Sequence, residues 1–315
     1  MREQDLLQHV YGANQGLPDR VLIPPGDDMG AIRIGAPGGQ ALVLVTVDQV
    51  AEGVHFDLGT TGLEKVGRKA VMRSLSDIAA MAAVPCGAVL AACLPRGFGT
   101  ARARALFDAA AAAAKAFDCP LVGGDICMWD QGLVLTVTAF AEPGGIEPVR
   151  RQGARAGDAI YVTGTLGGSL QTIDGSSHHL DFEPRIALAR ALARQYELHC
   201  MIDLSDGLGQ DLGHLCRASG LGAVIYERDL PISAAARVAS AGKDTTPWYH
   251  ALCDGEDYEL CFTVNASQQV RDRVQGVPIT KIGHMTDGTG GSTLFLELAD
   301  GTRRDAGDLG WEHRG

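Results

Sequence analysis

Two kinds of hydrophobic pattern alternate along the chain. Continuous β-prone runs such as Ala41-Leu42-Val43-Leu44-Val45-Thr46-Val47 predict buried strands, and stretches with a repeat near 3.6 predict amphipathic helices. A short helix is expected over residues 3–12, followed by a Gly/Pro-rich loop through Pro24-Pro25-Gly26-Asp27-Asp28. Helical periodicity over 63–83 places Lys69, Arg73 and Asp77 one turn apart on one face, where they could pair as a salt bridge. A strand over 86–94, an Ala-rich helix over 100–117 and a strand over 133–141 follow. Further on come a strand at Ala159-Ile160-Tyr161-Val162, helices over 184–196 and 208–218, and strands near 222–226, 258–264, 279–283 and 293–298. This alternation predicts an α/β (α+β) fold.

At 315 residues the chain exceeds the usual single domain, so two are expected. The densest Pro/Gly stretch, Glu142-Pro143-Gly144-Gly145-Ile146-Glu147-Pro148, places the boundary between residues 1–147 and 148–315.

Six small acidic clusters punctuate the apolar runs. They are Gly26-Asp27-Asp28, Thr46-Val47-Asp48, Ser76-Asp77, Gly123-Gly124-Asp125, Asp203-Leu204-Ser205-Asp206-Gly207 and Gly255-Glu256-Asp257. An apolar run stopping at Asp beside Gly or Ser looks like a strand handing a carboxylate to a loop. Several such ends can converge where open α/β sheets bind ligands. Each cluster alone is ordinary turn chemistry. Carboxylates ~4 Å apart repel by about 4 kcal/mol at an effective dielectric of 20, so a convergent set needs cations. All-oxygen acidic ligands favour Mg²⁺, and Mg²⁺ usually accompanies phosphates.

Composition narrows the partners. The net charge of −11 argues against nucleic acid and anionic membranes, although bound metal would still admit an anionic substrate. Eight cysteines with no C-x-x-C, mostly in apolar stretches, read as small core residues in a reducing compartment. Met1-Arg2-Glu3-Gln4-Asp5-Leu6-Leu7 is too polar for a signal peptide and no apolar stretch is long enough to span a bilayer, which predicts a cytoplasmic protein. There is no G-x-x-x-x-G-K-[ST] loop, dinucleotide fingerprint or H-E-x-x-H; Gly164–Ser169 lacks the lysine. His178-His179 sits in a polar stretch and reads as solvated.

Taken together the motifs resemble the thiamine-monophosphate kinase family, of the aminoimidazole ribonucleotide synthetase superfamily. The resemblance rests on Gly26-Asp27-Asp28-Met29-Gly30, Asp48 through Glu52-Gly53-Val54-His55-Phe56, Ser74-Leu75-Ser76-Asp77-Ile78, Val122-Gly123-Gly124-Asp125, Ala156-Gly157-Asp158, Ile202-Asp203-Leu204-Ser205-Asp206-Gly207-Leu208 and Gly255-Glu256-Asp257-Tyr258-Glu259-Leu260. These occur in the family's order across nearly the whole chain. The last two are the specific ones.

The resemblance implies a two-domain architecture, with an N-terminal mixed sheet that dimerises and a C-terminal α/β domain. It implies ATP-dependent phosphorylation of thiamine monophosphate to thiamine diphosphate with several Mg²⁺ ions. Asp28, Thr46, Val47, Asp48, Asp77, Asp125, Asp203 and Asp206 match metal positions. Gly124, Asp125, Arg151 and Ser205 match ATP positions, with Arg150 competing for the role of Arg151. His55, Glu256 and Trp311 match acceptor positions. No dedicated catalytic base is expected, because a phosphate monoester with a second pKa of about 6 is already mostly dianionic.

The chain departs from the family at Val47, at Asp254 before Gly255, and at Trp311-Glu312-His313-Arg314. Related selenium and hydrogenase-maturation enzymes would need a functional Cys near the N-terminus or at the C-terminus; no Cys precedes Cys86, and the last residues are His313-Arg314-Gly315. A kinase for another small phosphate monoester, and a non-catalytic nucleotide-binding protein, stay open as alternatives.

Overall fold

The computed structural model describes residues 3–13, 16–35, 41–288, 294–307 and 309–311. The first half contains α1 (Glu3–Ala13), β1 (Val21–Ile23), β2 (Gly30–Ile34), β3 (Ala41–Ala51), α2 (Leu63–Ala80), β4 (Val84–Pro95), α3 (Thr100–Lys115), β5 (Leu121–Trp129) and β6 (Val134–Glu142). Its strands form a mixed sheet in the order β1-β2-β3-β6-β4-β5, with β5 parallel to β4 at one edge. The Gly/Pro-rich loop expected through residue 28 is shorter than read, because β1 and β2 form a hairpin that flanks Asp27 and Asp28.

One face of this sheet packs on α2 and α3. Leu44 and Val50 of β3, Ala88, Leu90, Ala92 and Leu94 of β4, and Leu135, Val137 and Ala139 of β6 alternate inward into that core. The two helices approach closely at Gly67, where an added Cβ would stand 2.5 Å from the Leu106 carbonyl oxygen. The other face is open: Val47 is 62% exposed, and Asp125 and Cys127 of the edge strand β5 are exposed. The continuous apolar run at 41–47, expected to be buried on both sides, is therefore buried on one.

The second half contains β7 (Ala159–Thr163), β8 (Thr172–Ile173), β9 (Ser176–Ser177), α4 (His178–Asp181), α5 (Ile186–Gln195), β10 (Leu198–Asp203), α6 (Leu208–Ser219), β11 (Gly222–Tyr226), α7 (Ala234–Ser240), α8 (Pro247–Cys253), β12 (Leu260–Val264), β13 (Arg273–Val274), β14 (Val277–Thr286), β15 (Leu294–Glu297) and β16 (Arg303–Asp305). The main sheet runs β10-β12-β7-β14-β11-β15-β16. Both faces of its centre are covered. Tyr161, Met201, Leu260 and Phe262 point into the core shared with α2 and α5, while Ile160, Val162, Cys200, Ile202 and Cys261 point toward α6 and α8. This period-two partition explains why β7, β10 and β12 are buried on both faces and rich in apolar residues.

Helix α2 is the bridge between the halves. It packs against β3 and β6 of the first sheet and against α4, α5 and β10 of the second half. The face bearing Lys69, Arg73 and Asp77 consequently looks into the junction. Among the described residues no helix is long and apolar enough to cross a membrane.

Candidate active site

Three aspartates from separate elements meet at the junction. Asp28 comes from the loop before β2, Asp77 from the last turns of α2 and Asp203 from the end of β10. One carboxylate oxygen from each lies within 4.8 Å of the others. Burial raises all three pKa values, and mutual repulsion adds to it: Asp77 stands well above the ordinary value, with Asp48, Asp203 and Asp28 facing it, and Asp203 is pushed up to about 7. Asp28 stays raised although Arg151 donates to its Oδ1 from Nη2 at 2.6 Å and Nε at 3.0 Å.

Hydroxyls orient the set. Thr46 donates to Asp77, Ser76 Oγ donates to Asp203 at 2.6 Å, and Ser74 Oγ donates to Asp48 at 3.0 Å. Asp28 Oδ2 is buried without a hydrogen-bond partner. An all-oxygen donor set with surplus negative charge and an unused lone pair fits a hard divalent cation such as Mg²⁺. A fourth buried carboxylate, Asp211, accepts from the Asp206 N–H at 3.0 Å and is pushed well up by burial, with Asp206 and Asp203 adding to it.

Beside the aspartates opens a cleft that His55, Arg73, Ser205, Asp206, Glu256 and Trp311 help to line. Three segments of the second half are stitched together there. Ser205 O accepts from Glu256 N–H at 2.8 Å, Leu204 O from Tyr258 N–H at 2.8 Å, and Asp206 O from Trp311 N–H at 2.8 Å. His55 accepts the Ala51 N–H at Nδ1 (3.1 Å), so its neutral ring carries the proton on Nε2. Glu256 sits in left-handed backbone at φ 55°, between Gly255 at 70° and Tyr258 at 49°. Such geometry costs of order 1 kcal/mol or more per non-glycine residue and tends to gather at functional sites. Burial alone would raise the Glu256 pKa, but His179, Lys69 and Arg73 hold it down at about 2.

Comparison with known proteins agrees with this geometry. Residues 26–142 match the family model "AIR synthase related protein, N-terminal domain", and residues 155–295 match the corresponding C-terminal domain. A thiamine-monophosphate kinase of Rhodopirellula baltica is 35% identical over 91% of this chain and 90% of its own length. That of Haemophilus influenzae is 32% identical over 92% and 91%. The chain belongs to the thiamine-monophosphate kinase family. A solved structure of AaThiL complexed with AMPPCP and TMP superposes with a TM-score of 0.81 at 27% identity, covering 99% of this chain and 97% of that one.

Several sequence-based expectations for this member of the family need correction. Of the acidic clusters, Asp203 ends a strand and Asp77 lies on the helix α2 as expected, but Asp48 lies within β3 and Asp125 within β5. Gly124 is in mid-strand, where a Cβ would stand 1.9 Å from the Leu90 carbonyl oxygen, so its smallness first serves packing against β4. Asp125 is exposed and pairs with Ala91, on the sheet face turned away from the aspartates. Three strand spacings separate β5 from β3, roughly 14 Å. Val47 points to that same open face, opposite Thr46 and Asp48. Asp206 lines the cleft and is not one of the three convergent aspartates.

The α2 cations do not form a helix-face bridge to Asp77. Lys69 pairs with Glu256 at 2.7 Å, and Arg73 lies 3.7 Å from Asp48 and 3.8 Å from Glu256. Of the two candidate arginines, Arg151 contacts the aspartate cluster, while Arg150 reaches Asp27 at 3.1 Å. Far from being solvated, His178 Nε2 lies 2.7 Å from the Asp257 carbonyl and His179 Nδ1 lies 3.1 Å from Glu256. Cys86 and Cys127 are exposed, and Cys93 and Cys253 half-buried; only Cys119, Cys200, Cys216 and Cys261 are core residues. Residues 312–314, with their departure from the family pattern, lie outside the described residues.

Sequence reasoning missed His179 and Asp211 and gave Lys69 the wrong partner. The four-residue spacing of Lys69, Arg73 and Asp77 was the available signal. It defines one face of α2, but it cannot say what faces it from 187 residues further along the chain.

Proposed function

We propose that this protein transfers the γ-phosphoryl group of ATP to the phosphate of thiamine monophosphate, giving thiamine diphosphate and ADP. The observation that carries the reading is the convergence of Asp28, Asp77 and Asp203 beside a cleft containing His55, Glu256 and Trp311. An oxygen of the acceptor phosphate attacks the γ-phosphorus of ATP, the new P–O bond forms as the bond to the β-phosphate oxygen breaks, and ADP leaves. The acceptor is a dianion at neutral pH and surrenders no proton, so no base is needed.

Asp28, Asp77 and Asp203 would hold Mg²⁺, with Asp48, Asp206 and the Thr46 hydroxyl or carbonyl in support. Bound there, Mg²⁺ would screen the two phosphates from each other and stabilise charge in the transition state. Arg151 is placed to bridge the cluster to ATP, and Ser205 to meet phosphate at the edge of the cleft. His55 Nε2–H and Glu256 present a donor and an acceptor to the organic end of thiamine monophosphate, and half-exposed Trp311 offers a face for its cationic ring.

The reading extends to a cytoplasmic homodimer. The open face, where Val47 is more than half exposed, and the unpaired edge strand β5, where Val122, Ile126 and Met128 are too, support a second copy docking along that side of the sheet. Asp125, remote from its own cluster, and Gly124 would then meet metal and nucleotide across the subunit boundary. The sheet boundary between Glu142 and Ala159 supports a division near residue 147.

Incubation of purified protein with ATP, Mg²⁺ and thiamine monophosphate, with chromatographic detection of thiamine diphosphate, tests the reading. Mg²⁺-dependent ADP release without that product would assign another phosphate-monoester acceptor. No ADP release at all would leave a binding protein.

A further inference from the structure

Lys69 is completely buried, with 0% of its side chain exposed. An ammonium has three N–H donors, and here each has an acceptor: Glu256 Oε2 at 2.7 Å, His179 Nδ1 at 2.8 Å and the His55 carbonyl at 2.9 Å. One side chain thus touches the two segments that present His55 and Glu256 to the cleft, and it does so from the helix that carries Asp77. His179 reinforces the arrangement by holding the Lys69 ammonium; its Nδ1, taken up as that acceptor, lies 3.1 Å from the same Glu256 oxygen without donating to it. Its short helix α4 is itself tied down: His178 bonds the Asp257 carbonyl, Lys65 pairs with Asp181 at 2.8 Å, and Arg68 Nη2 donates to Phe182 O at 2.6 Å.

The two oxygens of Glu256 are treated differently. Oε2 takes the short bond from Lys69, whereas Oε1 has only longer contacts, 3.4 Å to Tyr258 Oη and 3.8 Å to Arg73 Nη1. A carboxylate whose sole task was to neutralise Lys69 would not need left-handed backbone in a lined cleft. We infer that Lys69 and His179 are positioning residues: Lys69 pins Oε2 of Glu256, His179 holds the Lys69 ammonium, and Oε1 is thereby aimed at a hydrogen-bond donor or cationic group on the organic end of the acceptor. Neither residue touches substrate. Each acts through Glu256, and Lys69 also acts through the His55 segment. This rests on the kinase reading above and assigns acceptor affinity to two side chains outside its proposed ligand set.

The test is a double-mutant cycle read in KM values for the two substrates. Lys69→Met should raise KM for thiamine monophosphate about tenfold or more, as expected for loss of a charge-assisted hydrogen bond, and leave KM for ATP within about twofold. His179→Ala should raise the acceptor KM a few-fold with the same selectivity. In a Glu256→Gln background both effects should shrink to about twofold or less, because the residue they act through is gone. Should Lys69→Met fail to fold, the His179→Ala cycle carries the test, since that side chain lies outside the core of α2.

Full, independent effects in the Glu256→Gln background would overturn the inference, as would parallel rises in both KM values. A wild-type protein that makes no thiamine diphosphate would instead sink the kinase reading itself, and the two failures are thereby told apart.

Discussion

Two groups of carboxylates lie along one helix and are treated in opposite ways. At the Asp77 end of α2, Asp28, Asp77 and Asp203 crowd together with raised pKa values, and only Arg151 offsets them by direct contact. At the Lys69 end, Glu256 is surrounded by Lys69, His179 and Arg73 and held down at about 2. The first group is left short of positive charge, and on the proposed reading a cation would complete it. The second is neutralised from within and is finished when the chain folds. One region is built to receive ions, the other to be rigid, and the contrast predicts opposite signs for chemically similar mutations.

The largest effect is expected at Asp77. Asp77→Asn should lower turnover by roughly 10³-fold, the scale of losing a key electrostatic group. The unfolding midpoint should stay the same or rise, because a repelling buried charge has gone. A large loss of stability with normal turnover would show that Asp77 belongs to the self-neutralised kind.

Glu256→Gln should do the reverse to stability. It strands a buried ammonium, and breaking a buried pair costs about 3–5 kcal/mol. Denaturant unfolding of the single mutant, compared with Lys69→Met/Glu256→Gln, measures this directly, and the double mutant should recover much of the loss. A Glu256→Gln protein as stable as wild type would erase the distinction between the two regions.

A pH series sharpens the comparison further. In chelator, the Asp203 carboxyl is pushed up by burial to about 7 in the folded state from its ordinary value of 3.8, so the folded state binds the extra proton. Its stabilising contribution is fully present below about pH 4 and is lost as pH rises through 7. The unfolding midpoint of chelated protein should therefore fall by several degrees between pH 5 and 8, whereas added Mg²⁺ should flatten or invert the slope. The contribution of Glu256, being depressed, is lost only as pH falls through about 2, so it adds no slope in this window. An unchanged slope with Mg²⁺ would count against cation binding at the aspartates.

The smallest effect is expected at Trp311, which is half exposed. Trp311→Ala should weaken acceptor binding several-fold, in line with cation–π interactions of about 1 kcal/mol, and leave ATP binding unchanged. Equal losses for both ligands, measured by calorimetry, would remove its stacking role.

Much of this arrangement was legible from residues alone. The helix over 63–83 appears as Leu63–Ala80 with the expected face inward, the strand into Asp203 ends at that residue, and the site aspartates 28, 77 and 203 do converge. The helix and the strand succeed because hydrophobic periodicity reports local geometry. What escaped depended on contacts distant in sequence. His179 looks like any polar-loop histidine until α4 folds back on Lys69, and the run at 41–47 cannot reveal that one of its faces is left open. Asp125 reads as a ligand by motif, yet its place on β5 turns it away from its own cluster.

Helix α2 also acts as a gauge. Lys69 and Asp77 are eight residues apart on one rigid element, about 12 Å at 1.5 Å per residue. On the proposed reading, that length would separate the grip on the organic head of the acceptor from the point where its phosphate reacts. A molecule with the right head and a tether too short or too long would then seat correctly at one end and miss at the other, and size selection would be set by a count of helical turns.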